Sequence, residues 1–510
     1  VKMNLIASTS TFSFFTLISR ILGYVRDILI AIFLGTGLFA DAFFVAFRLP
    51  NTFRRLFAEG AFNAAFVPSY TGELVQSKEQ ATNFAKNIFN LLFIALLILI
   101  FVAEMFMPQL IYLIAPGFYK DPEKLSLAIS LSRITFPFLF FISLATFLSA
   151  ILNSHNKFAA AAAAPIIFNI ILIGSLLFSQ LIDSSVASTL SYAVSIGGFI
   201  QLVILFFFVK KKFNPIPIIK IKIDEKIKFF FKKLIPSIFS SGVTQINILV
   251  GTIIASFHPG AVSYLYYADR VYHINLAIAG IGISTVMLPE LSKLIKNNNI
   301  VEAVDLQNRS IEFCLFLSIP AACALLISSN EIINSLFGYG SFDINSINNT
   351  SLALTYFAYG VPAFAILKIL SNLFFARNDT KTPFYLSVIS VLINIIISVS
   401  LFNRFGFIII PIATSISSWL NVLMHFYFIR KRNLHFFDTN FFYKLPRIIL
   451  SVVVMGGILY LLLGFFSDKF NYNESWKFIY LFIIVTISLI SYFLISNFTG
   501  AFKFKDIKLK

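Results

Sequence analysis

Apolar runs of about 20 residues, the length a helix needs to cross a ~30 Å hydrocarbon core, follow one another along the whole of this 510-residue chain. Lipid offers no partner to an unpaired backbone N–H or C=O, so unbroken apolar runs of this length cross as helices. The expected fold is therefore an all-α, polytopic membrane protein. Composition agrees: 58% of the residues are hydrophobic and 12% are charged, with a mean hydropathy of +0.86. An ordinary soluble chain is about a quarter charged, so no soluble domain of useful size remains.

Runs and breaks place helices near residues 8–34, 38–75, 84–114, 124–152, 158–181, 186–211, 228–256, 260–295, 306–328, 347–376, 383–403, 408–430, 445–466 and 474–498, about fourteen spans. Pro50, Pro137, Pro362 and Gly60 are the expected kink points. A basic stretch follows every second span: Lys78 and Lys86, Lys157, the run Lys210 to Lys233, Lys293 and Lys296, Arg377 and Lys381, Arg430 to Arg432, and Lys503 to Lys510. The intervening loops carry only Lys120, Lys124, Arg133, Arg404, Lys469 and Lys477. Positive charge concentrates on the cytoplasmic side, so both termini are expected inside a bacterial cytoplasmic (inner) membrane. Arg20 interrupts the first apolar run and no small-residue cleavage site follows, which reads as a retained first helix.

The net charge of +17 is spread among loops between spans, the pattern of membrane topology, and no nucleic-acid partner is expected. In the basic run before the seventh span, lysines surround Phe229 to Phe231, which suits either a segment lying on an anionic leaflet or a plain topogenic loop. Cys314 and Cys323 fall in one apolar segment and read as packing residues, with no disulfide or metal site.

The two halves of the chain repeat. Pro137, Asn153 and Asn169 recur as Pro362, Asn378 and Asn394 at one constant offset, and AVSIGG at 193–198 resembles ATSISS at 413–418. Six spans match six later spans, and an even number keeps both halves in the same orientation, a parallel pseudo-twofold repeat. The domains expected are an N-lobe at 1–215, a C-lobe at 216–435, and two further helices with a basic tail at 436–510.

Against this apolar background, Arg20, Arg26, Arg48, Arg54 and Arg55 crowd into the first two spans with only Asp27, Asp41 and Glu59. A charge at the bilayer centre costs roughly 2.5–3.5 kcal/mol on the lenient insertion scale, so the cluster lines water, pairs internally or holds a ligand. Asp41, Arg48 and Arg55 are spaced by seven, one stripe on a helix, and Glu59 extends it; Arg20 and Asp27 are also seven apart. Alternating signs allow a ladder of ion pairs locking two helices, although buried pairs are weak devices for stability. Five arginines against three acids leave +2, and Asp269 with Arg270 in the second half leaves that balance unchanged. Uncompensated arginine suits a phosphate or diphosphate, which its planar fork grips with two parallel hydrogen bonds. His273, one turn after Arg270, either contacts the ligand or is a packing group, and Lys368 either faces the same site or snorkels to an interface. Phosphate-loop, HExxH and GxSxG motifs are absent from the sequence, so a transporter rather than an enzyme is expected, with no cofactor.

The segments SRILGYVRD (19–27), DAFFVAFRLPNTFRRLFAEGAFNAAFVP (41–68) and YYADR (266–270) closely resemble the MurJ (MviN) lipid II flippases of the multidrug/oligosaccharidyl-lipid/polysaccharide exporter superfamily. The resemblance covers the whole chain and implies two lobes around a cationic cavity for the diphosphate and sugar-peptide head of lipid II, with the last two helices as a groove for its polyprenyl tail. It implies cavity roles for Ser19, Arg20, Arg26, Asp27, Asp41, Arg54, Arg55, Glu59 and Arg270, with Arg48 where the family also accepts lysine. His273 departs from an acidic position of the family. A sodium site of some members needs an acid in the seventh or eleventh span, and neither has one, so no metal is expected. The partners implied are lipid II and membrane lipids, acting on a monomer. Exporters of O-antigen-type glycolipids share this physics; a multidrug antiporter of the same superfamily fits less well, because cationic drugs call for an acidic or aromatic cavity.

Overall fold

The computed structural model describes residues 5–55, 62–155, 157–182, 184–210, 212–214, 224–435 and 437–502. Every regular element among them is helical, and the contacts divide the chain into two units, Val1–Ser263 and Tyr264–Lys510. The first contains α1 (Leu5–Leu34), α2 (Leu38–Phe53), α3 (Phe62–Gln76), α4 (Lys78–Met105), α5 (Met107–Ile114), a 3-10 turn at Pro116–Lys120, α6 (Pro122–Thr135), α7 (Phe138–Ser154), α8 (Phe158–Leu181), α9 (Val186–Val209) and α10 (Glu225–Ala255). Helix α11 (Ala261–Leu276) begins at the boundary. The second unit continues through a π-helical segment at Ala277–Gly282 to α12 (Ile283–Lys296), α13 (Ile300–Phe337), α14 (Ile344–Ala358), α15 (Val361–Phe375), α16 (Lys381–Phe405), α17 (Ile409–Lys431), α18 (Thr439–Phe465) and α19 (Lys477–Thr499).

Polar residues start several of these helices by satisfying N–H groups that the helix itself leaves open. Ser77 caps α4, Asp121 caps α6, Asp224 caps α10, Asp343 caps α14 and Asp438 caps α18, each accepting a hydrogen bond from a backbone N–H of the first turn. Proline sets two breaks, because its ring removes a donor and crowds the preceding turn. Pro137 separates α6 from α7, and Pro362, in the first turn of α15, follows a 42° bend from α14. These are corresponding positions of the repeat. Pro50 lies within α2 without ending it, and Gly60 lies outside the described residues.

Among the described residues nine helical stretches are long and apolar enough to cross a membrane, ten if α14 and α15 form one bent span. One of the nine, Lys381–Lys431, is 51 residues long and folds back at Gly406 (φ 64°), so that α16 and α17 lie against each other. The expected fourteen includes stretches outside this set. Helix α1 carries Arg20, Arg26 and Asp27, α2 carries Asp41 and Arg48, and in α10 only Gln245–Ala255 stands as a short apolar helix.

In the first unit α8 packs between α1 and α9, α2 lies on α6, and α3 lies on α4. Helix α10 packs on α3, α4 and α5, so by contact it joins the first unit, whereas the repeat counts it with the second six spans. An aromatic core joins these helices: Phe66 sits 4.9 Å from Phe147, 5.5 Å from Tyr70 and 6.1 Å from Phe84, ring centre to ring centre. Gly117 is required by its surroundings, since a Cβ there would stand 2.2 Å from the carbonyl oxygen of Ser256. The second unit is built on the long α13, which touches α12, α14, α15, α18 and α19.

Candidate functional site

Two knots of charged residues stand among the described residues of the first unit. On α1, Arg26 donates to Asp27 Oδ1 through Nε (3.0 Å) and Nη2 (2.7 Å), and to Asn169 Oδ1 on α8 through Nη1 (2.8 Å). Asn169 in turn donates through Nδ2 to the carbonyl of Ser19 at 3.0 Å. Both charged side chains are largely buried, 12% and 5% exposed. Arg26 is thus held in one orientation by a neighbour and by a second helix, and a charge-assisted fork fixed this way can meet an anion without first being ordered. Arg20 is exposed on the same helix, and Ser19 contributes its backbone carbonyl to the knot. Asn169 was visible in the sequence only as a repeat position.

The second knot surrounds Asp41, which is completely buried. One oxygen accepts from the N–H and the hydroxyl of Ser263, both at 2.8 Å, and the other accepts from the N–H of Gly260 at 2.8 Å and from Lys124 Nζ at 2.5 Å. Asp41 therefore closes the first turn of α11 as a cap supplied from α2. Its counter-ion among the described residues is Lys124, not one of the arginines with which it shares a helical stripe. Lys124 lies 4.4 Å from the centre of the Phe118 ring and is itself 5% exposed. In the sequence it stands among the few basic residues between spans. A lysine in the first turn of a helix opposes the helix dipole, and that mismatch was the available signal of a carboxylate elsewhere.

Arg48, Arg54 and Arg55 are half-buried, and none of the three is free of partners. Arg54 donates through Nε to Asn51 Oδ1 at 2.9 Å, so the Pro50-Asn51 pair positions this guanidinium at the end of α2. Glu59 lies outside the described residues.

In the second unit, α11 arranges its polar residues at helical spacing. The guanidinium of Arg270 lies 4.7 Å above the Tyr266 ring and donates through Nη2 to the Tyr266 hydroxyl at 3.2 Å. Asp269 accepts from the Tyr272 hydroxyl at 2.8 Å and lies 3.2 Å from His273 Nε2. His273 stacks on Tyr272 at 4.8 Å and keeps 47% of its side chain exposed. Asp269 is thereby engaged by its own helix, and Arg270 is braced by an aromatic face. Lys368 is exposed on α15.

Among the described residues no group of three His, Cys, Asp or Glu side chains is placed to hold a metal ion. In the basic run, Lys226 pairs with Glu73 at 2.6 Å and Lys228 with Glu225 at 2.9 Å, while Lys211, Lys220 and Lys222 lie outside the described residues.

The family model described as lipid II flippase MurJ matches residues 30–482. The chain is 39% identical over 474 residues to a "Probable lipid II flippase MurJ" of Rickettsia prowazekii, covering 92% of this chain and 93% of that protein. It is 30% identical over 467 residues to a "Lipid II flippase MurJ" of Burkholderia cenocepacia, covering 90% of each. A solved structure of lipid II flippase MurJ in an inward closed conformation superposes with a TM-score of 0.79 at 30% identity, over 96% of this chain and 98% of that one. An inward-facing multidrug resistance MATE transporter of the MOP superfamily superposes at 0.69 over 81% of this chain and 94% of its own, and at 14% identity that likeness concerns the fold alone. This multi-pass membrane protein belongs to the MurJ lipid II flippase family.

Proposed function

We propose that this chain moves lipid II, the undecaprenyl-diphosphate-linked peptidoglycan precursor, from the inner to the outer leaflet of the bacterial cytoplasmic membrane by alternating access. The observation that carries the reading is the excess of arginine over acid in the first two helices of a chain whose relatives carry that name. Arg20, Arg26, Arg48, Arg54, Arg55 and Arg270 bind the diphosphate, while Asp27 orients Arg26. Asp41 and Glu59 belong to the same site, and Ser19 contributes through the bond from Asn169. His273 serves as a polar contact beside Arg270. Residues 1–215 and 216–435 act as two lobes, and 436–510 supply the groove for the tail and a basic end. Both termini are cytoplasmic, the chain works as a monomer without metal or cofactor, and no bond is made or broken. Membrane potential can assist, since one charge moved across 100 mV is worth about 2.3 kcal/mol.

The test is rescue of a bacterium depleted of its lipid II flippase. Wild type restores growth and cell shape, and Arg20→Ala, Arg26→Ala and Arg270→Ala do not at equal expression. Failure of wild type to rescue, or full rescue by all three variants, refutes the proposal.

A further inference from the structure

We infer that Lys124 sets the anion affinity of the arginine cluster by cancelling the charge of Asp41, an inference that rests on the diphosphate reading above. Asp41 stands seven residues before Arg48 on one face of α2, about 10 Å along the helix at 1.5 Å per residue. Its carboxylate is needed where it is, because two backbone N–H groups and a hydroxyl at the start of α11 converge on it and a neutral amide offers them only one acceptor oxygen. An unpaired carboxylate at this place repels the anion that the arginines bind. Lys124 removes that penalty: it sits on a different helix, is buried with Asp41, and meets the oxygen that Gly260 also uses. A buried pair of this kind is a poor device for stability, since desolvation offsets most of its attraction. Its effect on the cluster is direct. Counting Lys124, the cluster of Arg20, Arg26, Arg48, Arg54 and Arg55 becomes six cations against Asp27, Asp41 and Glu59. With an effective dielectric near 20, one unit charge about 10 Å away changes the binding constant of a monovalent anion roughly tenfold.

The experiment measures binding of undecaprenyl diphosphate to the full-length protein in phosphatidylcholine nanodiscs, at low and high salt. Undecaprenyl diphosphate carries at least two negative charges, so at low salt Lys124→Met, which exposes the charge of Asp41, weakens binding by about a hundredfold, and Asp41→Asn, which leaves Lys124 uncancelled, tightens it by about a hundredfold. The double variant returns to within about threefold of wild type, as does Lys124→Arg, and added salt shrinks every difference. A purely structural pair weakens binding in both single variants, so tightening by Asp41→Asn alone separates the two accounts even where Lys124→Met fails to fold. Equal affinity across the folded variants, or weakening by an Asp41→Asn protein that melts as wild type does, overturns the inference. Absence of binding by wild type overturns instead the diphosphate reading beneath it.

Discussion

Asn169 joins the fold to the site, and its replacement tests both. It is 5% exposed, donates to the Ser19 carbonyl and accepts from Arg26, so Asn169→Leu removes both bonds while nearly conserving volume. A bond to a charged partner contributes about 1.5–3 kcal/mol and a neutral one about 1, and Arg26 keeps Asp27, which caps the loss. The expected cost is about 2–4 kcal/mol. Asn169→Asp keeps an acceptor for Arg26 but sets a carboxylate oxygen against the Ser19 carbonyl and buries a second charge beside Asp27, so it should cost about 2–3 kcal/mol. The assay is reversible unfolding in mixed micelles, followed by helix content, beside rescue of flippase-depleted cells. Asn169→Leu should also impair rescue, because Arg26 loses the helix that orients it. An Asn169→Leu protein as stable and as active as wild type would falsify the claim that α8 positions Arg26.

Three further outcomes follow from the geometry. His435 lies in the α17–α18 loop, and its burial, then the Arg377 cation against a smaller pull from Asp438, lower its pKa from 6.5 to about 4. The folded state thus favours the neutral ring, so stability is full above pH 6.5 and falls by about 1.4 kcal/mol per unit toward pH 4; acid titration of melting shows this slope, and His435→Gln flattens it. Lys477 is fully buried and donates to Asn334 Oδ1 (2.8 Å) and the carbonyls of Gly338 (2.6 Å) and Tyr472 (2.9 Å), so Lys477→Met orphans three acceptors and costs about 3 kcal/mol or more in the same unfolding assay. Gly117→Ala drives a methyl into the backbone of Ser256 and Phe257, at 2.2–2.4 Å, and should abolish accumulation of folded protein on size-exclusion chromatography.

Much of this molecule was legible in the chain because lipid imposes simple rules. Apolar length marked helices, and Pro137 and Pro362 marked breaks at matching points of the repeat. The arginines were legible as an energetic anomaly, but the spacing of seven put Asp27 with Arg20, whereas the structure pairs it with its neighbour Arg26. Spacing by seven allowed Asp41 an arginine partner on its own helix, but a shared helical face states which residues can face one space, not which of them meet, and the buried carboxylate takes the donors tertiary packing brings. Lys124 lies 83 residues from Asp41 in sequence, beyond any local pattern. Asn169 holds an arginine, and its counterpart Asn394 meets Ser398 at 3.2 Å and Thr414 at 3.5 Å, partners that the repeat alone did not indicate.

An anion-binding arginine cluster that carries lipid II across a membrane is tested most directly by measuring lipid II exposed at the outer leaflet of flippase-depleted cells expressing this chain. Wild type should restore exposure within the time of one expression pulse, and a variant with Arg20, Arg26 and Arg270 all replaced by alanine should leave lipid II inside at equal membrane abundance. Exposure that persists in the triple variant, or that wild type does not restore, contradicts the account.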